Sequence, residues 1–145
     1  MPNREKRGRS INPALHLHLD CTLAAVRRGA IQIRTFLESR GLPEKDIWAC
    51  ELAFVEGCNN AVQNTPVANV SQKILVELLL DTGSIELRIN EHSAGCELPA
   101  QIQLPPSESE SGRGIFLMHT LMDQVTYIRN DSSNCLVLKK ARTGI

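Results

Sequence analysis

Leu15, Leu17 and Leu19 alternate with His16, His18 and Asp20, the period-two signature of a strand with one buried face. From Leu23 to Arg40 the period changes. Leu23, Val26, Ala30, Ile33 and Leu37 recur at helical spacing, with Arg27, Arg28 and Arg34 off that stripe and Gly41 placed as a C-terminal cap. The spacing predicts an amphipathic helix with a basic outer face. Pro43 suits the first turn of a second helix, Glu44 and Asp46 complement its dipole, and the segment runs to about Asn64 before Pro66. Between Ile47 and Val62 this helix is apolar on most of its circumference, as befits one packed in the interior.

Two strands follow, Lys73 to Leu80 and Ile85 to Asn90, joined by the turn residues Asp81-Thr82-Gly83-Ser84. The stretch from Glu97 to Ser111 has no sustained period. It carries Pro99, Pro105 and Pro106 and then Ser107-Glu108-Ser109-Glu110-Ser111, and it reads as a long loop of the kind that is functional or mobile in compact domains. A third helix is expected from about Arg113 to Asp123, with Ile115, Met118 and Met122 on one side. Two closing strands, near Val125 to Arg129 and Cys135 to Lys139, flank the turn Asn130-Asp131-Ser132-Ser133. This order predicts an α+β domain, a mostly antiparallel sheet with helices on one face.

Composition narrows the classes without choosing one. A chain of 145 residues is the usual size of a single domain with an adequate core. Sixteen basic residues balance sixteen acidic ones, so no global field draws the chain to nucleic acid or to an anionic membrane. The one charge cluster, Asn3-Arg4-Glu5-Lys6-Arg7-Gly8-Arg9, reads as a flexible basic arm over residues 1–12. No apolar run resembles a signal peptide or approaches the ~20 residues of a membrane span, which predicts a cytoplasmic protein. Cys21, Cys50, Cys58, Cys96 and Cys135 are odd in number and scattered, without a C-x-x-C pair, and read as small buried hydrophobes. His16 and His18 share a strand face but have no third ligand at a suitable spacing.

Candidate chemistry lies in two places. Glu56, Asn60 and Asn64 are spaced i, i+4, i+8 and project from roughly one face of the second helix. A carboxylate with a carboxamide one turn later offers oxygen ligands to a hard cation and a base beside it; the same stripe is also what a simply solvated face looks like. Gly112-Arg113-Gly114 precedes the third helix, where exposed amides form an anion site that glycines let phosphate approach, although a glycine pair after a loop is also an ordinary turn. No G-x-x-x-x-G-K-[ST] loop occurs, nor the Gly-rich loop, H-R-D and D-F-G elements of protein kinases.

Taken in order and at their spacings, E-L-A-F-V-E-G-C-N-N-A-V-Q-N (51–64) and S-G-R-G-I-F-L-M-H-T-L-M-D-Q-V (111–125) resemble the N box and the G2 box of a known ATPase family. This is the gyrase, heat-shock chaperone, histidine-kinase and MutL type, and the chain is most similar to its small branch of anti-sigma-factor serine kinases, RsbW and SpoIIAB. The similarity runs from about Leu15 to Lys140. It implies the Bergerat ATP-binding fold, a two-layer α/β sandwich with a mostly antiparallel mixed sheet, over residues 13–141. It further implies that Glu56 is the catalytic base, that Asn60 is the magnesium ligand, and that Gly112, Arg113 and Gly114 hold the phosphates of ATP, with 97–111 as the ATP lid. Asn64, Glu91 and Gly95 complete the implied nucleotide site. The family's reaction transfers the γ-phosphate of ATP to a serine of an anti-anti-sigma protein of the STAS fold. The unbound kinase sequesters a sigma factor, commonly as a homodimer, and contacts neither nucleic acid nor membrane.

The chain departs from the family at the base end. Where the family reads D-x-G-x-G, this sequence has Glu91-His92-Ser93-Ala94-Gly95. The glutamate carries its acceptor one methylene further, Ser93 replaces a glycine, Asn64 stands where many relatives have histidine, and Ser133-Asn134-Cys135 stands near the usual G-T of the last hairpin. These changes predict weakened or modified nucleotide binding without touching Glu56 or Asn60. Two further functions compete with the active kinase: a partner-binding module without catalysis, and a detached histidine-kinase domain. The second lacks a helical segment bearing a phospho-accepting histidine, and His119 sits inside the third helix among apolar neighbours.

Overall fold

The computed structural model describes residues 13–94 and 110–143, with the side chains of 110–113 outside that description. The expected basic arm, Gly95, Cys96 and nearly all of the expected lid therefore lie outside the described residues.

Strand β1, Leu15–Leu19, leads into helix α1, Leu23–Ser39, and helix α2, Glu44–Gln63. Thr22 caps α1, its hydroxyl accepting from the Ala25 amide at 3.1 Å. The other end closes as the glycine cap anticipated at Gly41, whose φ is +76°. Gly41 N donates to Glu38 O and Leu42 N to Leu37 O, so two carbonyls are satisfied while Leu42 is buried beside Leu37. The chain can thus reverse directly into α2. A short 3-10 turn at Val67–Asn69 then leads to β2, Ile74–Leu80, and β3, Ser84–Glu91. Asp81 closes that hairpin, its Oδ1 accepting from the amides of Gly83 and Ser84 at 2.8 and 2.7 Å. Those amides hold its carboxyl below the usual carboxylate range. Helix α3, Glu110–Leu121, and the strands β4, Gln124–Arg129, and β5, Asn134–Ala141, complete the order.

The five strands lie in the order β1-β2-β3-β5-β4 and every pairing is antiparallel. The fold is therefore the expected α+β arrangement, with a fully antiparallel rather than mixed sheet among the described residues. One face of the sheet carries Leu17, Leu19, Ile74, Val76, Leu78, Ile85, Leu87, Ile89, Leu136 and Leu138, all buried. Opposite them, Val26, Ala30, Ile33 and Leu37 of α1 and Ile47, Phe54 and Cys58 of α2 close one continuous core. Each large side chain in it contributes roughly 2 kcal/mol by leaving water. Cys50 and Cys58 are buried as expected, and burial pushes the Cys50 thiol up to about 12. Cys21 and Cys135 are only partly buried. His16 and His18 are exposed on the edge strand, and no group of three or more metal-binding side chains exists among the described residues.

The basic face of α1 is less available than its sequence implies. Arg34 forms a double hydrogen bond with Glu44, at 2.9 and 2.8 Å, and a further pair with Glu51 at 2.8 Å, and it also reaches Glu38. It staples α1 to α2 instead of facing a partner. Arg27 and Arg28 remain exposed.

Candidate functional site

Helices α2 and α3 bring the first elements of the site together. A Cβ placed on Gly114 would stand 2.8 Å from Glu56 Oε1 and 3.5 and 3.8 Å from Asn60 Nδ2 and Oδ1. Only a residue without a side chain admits this approach, so a carboxylate, a carboxamide and the backbone of the first turns of α3 share one corner. Helix α3 begins at Glu110, three residues before the expected start at Arg113. Gly112, Arg113 and Gly114 accordingly belong to its first two turns, and of the three only Gly112 falls among the first four residues, counting the cap, whose backbone amides lack intrahelical partners. The physical reason lies in the sequence signals themselves: serine, glycine and the preceding prolines all read as loop, and packing against α2 overrides them.

Asn64 is placed differently. Its Nδ2 donates to the Asn60 carbonyl at 2.8 Å and its own carbonyl accepts from the Ala94 amide at 2.9 Å, so it closes the end of α2 and ties down the chain leaving β3. It still lines the cleft, with its side chain turned back on the helix.

The cleft runs from Asn60, one turn along α2 from Glu56, across the sheet to the end of β3. A second glycine permits it. A Cβ on Gly57 would stand 2.6 Å from Leu136 Cδ2, 3.4 Å from Met118 Sδ and 3.6 Å from Ile89 Cδ1, so α2 lies directly on the strands. Ile89, Ile115, Met118 and Leu136 form an apolar wall, while Asn60, Glu91, Ser93 and Tyr127 supply polar groups. The cleft is narrow, with a free volume of about 30 Å³. The site is a slot.

At the far end Glu91 is buried, with 4% of its surface exposed. Such a carboxylate needs partners. Its Oε1 accepts from the Ser93 amide at 2.6 Å and, more distantly, from Asn134 Nδ2 at 3.4 Å, and its Oε2 accepts from the Tyr127 hydroxyl at 2.8 Å. Asn134 Nδ2 also donates to the Ser93 carbonyl at 3.1 Å, and Asn69 Nδ2 to the His92 carbonyl at 3.1 Å. Nothing local in the sequence marks Tyr127 or Asn69 for this role. Asn134, within the Ser133-Asn134-Cys135 departure from the family's pattern, reaches Glu91 because the two are cross-strand partners of β5 and β3.

The oxygen-rich corner fits a hard cation. Magnesium in nucleotide sites takes one or two protein oxygens and completes its shell with phosphate and water. Asn60 and the adjacent Glu56 offer such a set, and the glycine cradle beside them leaves room that a side chain would fill. His119 offers no comparable phosphate acceptor, because its Nε2 is buried and burial pushes its pKa down.

Residues 19–140 match the family described as the histidine kinase-like ATPase domain. No curated protein sequence matches the chain. Among solved structures it is similar to the RsbU and RsbW domains of Rv1364c from Mycobacterium tuberculosis, with a TM-score of 0.69 and 22% identity over 90% of this chain. It spans 33% of that chain. It is similar to a chain of the SiaB–SiaC complex from Pseudomonas aeruginosa, with a TM-score of 0.65 and 11% identity over 97% of this chain and 96% of the other. The histidine kinase AdeS of Acinetobacter baumannii matches with a TM-score of 0.52 and 12% identity over 99% of this chain and 74% of that one. These three are likenesses of fold. The family match covers most of the chain, including the Glu56–Asn60 corner, the Glu91 end and the first turns of α3: the chain belongs to the histidine kinase-like ATPase domain family.

Proposed function

We propose that the protein is an ATP-dependent serine kinase and anti-sigma factor, which phosphorylates a STAS-domain anti-anti-sigma protein and sequesters a sigma factor when that antagonist is absent. The observation that carries this reading is the corner in which Gly114 lies against Glu56 and Asn60. The phosphates of ATP would lie at the start of α3, over the Gly112 amide and beside Arg113 and Gly114. Asn60 would hold magnesium, which neutralises phosphate charge when bound. Glu56 accepts the proton of the substrate serine as its oxygen attacks the γ-phosphorus and the bond to ADP breaks. Phosphoryl transfer is mostly positioning and charge neutralisation, so this small set suffices.

The RsbW domain and the SiaB–SiaC complex among the solved structures of like fold support a partner-switching role. The position of β1 at one of the two sheet edges among the described residues supports a homodimer paired through that strand. The sixteen-to-sixteen charge balance supports protein partners rather than nucleic acid. No helix among the described residues is long and apolar enough to cross a membrane, in keeping with work in the cytoplasm. Transfer of radiolabel from ATP to a serine of the cognate STAS protein tests the reading. Glu56→Ala should abolish it, and unchanged transfer in that variant removes Glu56 from the chemistry.

A second reading is favoured by the Glu91 end, where the acceptor for the nucleotide base is already hydrogen-bonded by Tyr127, Ser93 and Asn134. There the same fold serves as a partner-switching module without catalysis. Calorimetry showing no heat with millimolar ATP while partner binding persists would select it.

A further inference from the structure

Glu91 stands where a ring entering the slot would meet a hydrogen-bond acceptor, but it does not wait empty. Oε1 is turned to the Ser93 amide and Asn134 on the sheet side, and Oε2 is taken by the Tyr127 hydroxyl, which comes from the cleft wall itself. The placement follows from strand register. Tyr127 pairs with Leu136 on β5, and Leu136 pairs with Ile89 on β3, so the phenol lies across the same apolar wall against which a planar ring would stack. Ser93 Oγ approaches the same hydroxyl at 3.4 Å. Oε2 keeps a second lone pair, but with a free volume of about 30 Å³ in the slot a ring must compete with the Tyr127 hydroxyl for the approach to it.

We propose that Tyr127 is the specificity-determining residue of this cleft. Its hydroxyl occupies the Glu91 oxygen that an amino-bearing purine needs, so the protein holds adenine nucleotides weakly and barely distinguishes a purine with the amino group from one without it. The proposal rests on the nucleotide reading of the cleft and deepens it. It also separates two features that normally travel together: a phosphate end built for nucleotide and a base end satisfied from within. Binding then depends mainly on phosphate and metal contacts, and the base contributes by stacking on Ile89 and Leu136 more than by hydrogen bonding.

The test is calorimetric titration of the full chain, with magnesium, against ADP and against purine riboside diphosphate, which lacks the 6-amino group. The wild-type protein should bind the two within about threefold of each other, since no charge-assisted hydrogen bond separates them. Tyr127→Phe keeps the ring and removes the hydroxyl. It should tighten ADP about tenfold, as expected for one hydrogen bond to a charged group, and leave the analogue unchanged. A tenfold ADP preference in the wild-type protein overturns the proposal without any variant. An equal gain for both ligands in Tyr127→Phe also overturns it, because the hydroxyl would then act only as bulk. No gain for either, with binding intact, overturns it while the nucleotide reading stands. No binding of either ligand at millimolar concentration by either protein removes the nucleotide reading and this proposal together.

Discussion

Replacing Gly114 by alanine separates stability from chemistry at the Glu56–Asn60 corner. The new methyl carbon would stand 2.8 Å from Glu56 Oε1, about 0.6 Å inside the 3.4 Å at which ordinary contact begins. Alanine stabilises a helix over glycine by about 1 kcal/mol. The carboxylate must turn aside, and an off-rotamer side chain costs roughly 0.5–1.5 kcal/mol. These nearly cancel, so the melting temperature should stay within about 4 °C of the wild-type value. The displaced carboxylate is a different matter, because a shift of about 1 Å in a catalytic group lowers a rate on the order of 100-fold. Radiolabel transfer should therefore fall by about that factor in a protein that remains folded. A control needs no activity at all. In a Glu56→Ala background the nearest remaining atom is Asn60 Nδ2 at 3.5 Å, so the same methyl should stabilise by about 1 kcal/mol. The two substitutions are thus coupled by about 1 kcal/mol in urea unfolding. Coupling below ~0.3 kcal/mol would mean that the methyl never meets Glu56, and the close approach on which the site rests would fall.

Two further outcomes concern the scaffold. Asp46 is fully buried and accepts from both Thr143 N and Thr143 Oγ1 at 2.9 Å; Asp46→Ala should cost about 3 kcal/mol, or roughly 6–12 °C of melting temperature, and a loss under about 1 kcal/mol would show the C-terminal latch to be idle. The Arg34 hydrogen bond holds the Glu44 carboxyl below its ordinary 4.5, so the stability it adds is present above that pH and is lost as pH falls through the lowered value. Thermal melts should accordingly show Arg34→Gln less stable than wild type at pH 7, the gap closing below pH 4.5 and shrinking in high salt; a gap independent of pH would assign it to the packing of the arginine stem.

What was legible in the sequence depended on range. The alternation of Leu15, Leu17 and Leu19, the Asp81 turn and the Gly41 cap are signals carried by neighbours in the chain, and each corresponds to the observed element. The Glu56–Asn60 stripe is likewise a matter of helical spacing. Register between distant strands is not. Tyr127 reaches Glu91 across 36 positions and Thr143 reaches Asp46 across 97, and no local pattern marks either pair. Arg34 read as an outward cation because a helical wheel shows which way a side chain points and not that Glu44 and Glu51 of the next helix await it. The start of α3 is not legible because Ser111 and Gly112 have poor helix propensity, and tertiary contact decides such cases.

The sheet order has a consequence for how this chain comes together. Two hairpins, β2–β3 and β4–β5, join strands that are adjacent in sequence, and each can form on its own within microseconds. The remaining ladders join distant segments, Leu19 with Ile74 across both long helices and Leu87 with Leu138 across α3 and β4. Closing those loops is the slow step of such a topology. The entropy of closure grows only logarithmically, by about 0.6 kcal/mol for each doubling of loop length. The segment between β3 and α3 can therefore lengthen or shorten over generations at little cost to folding.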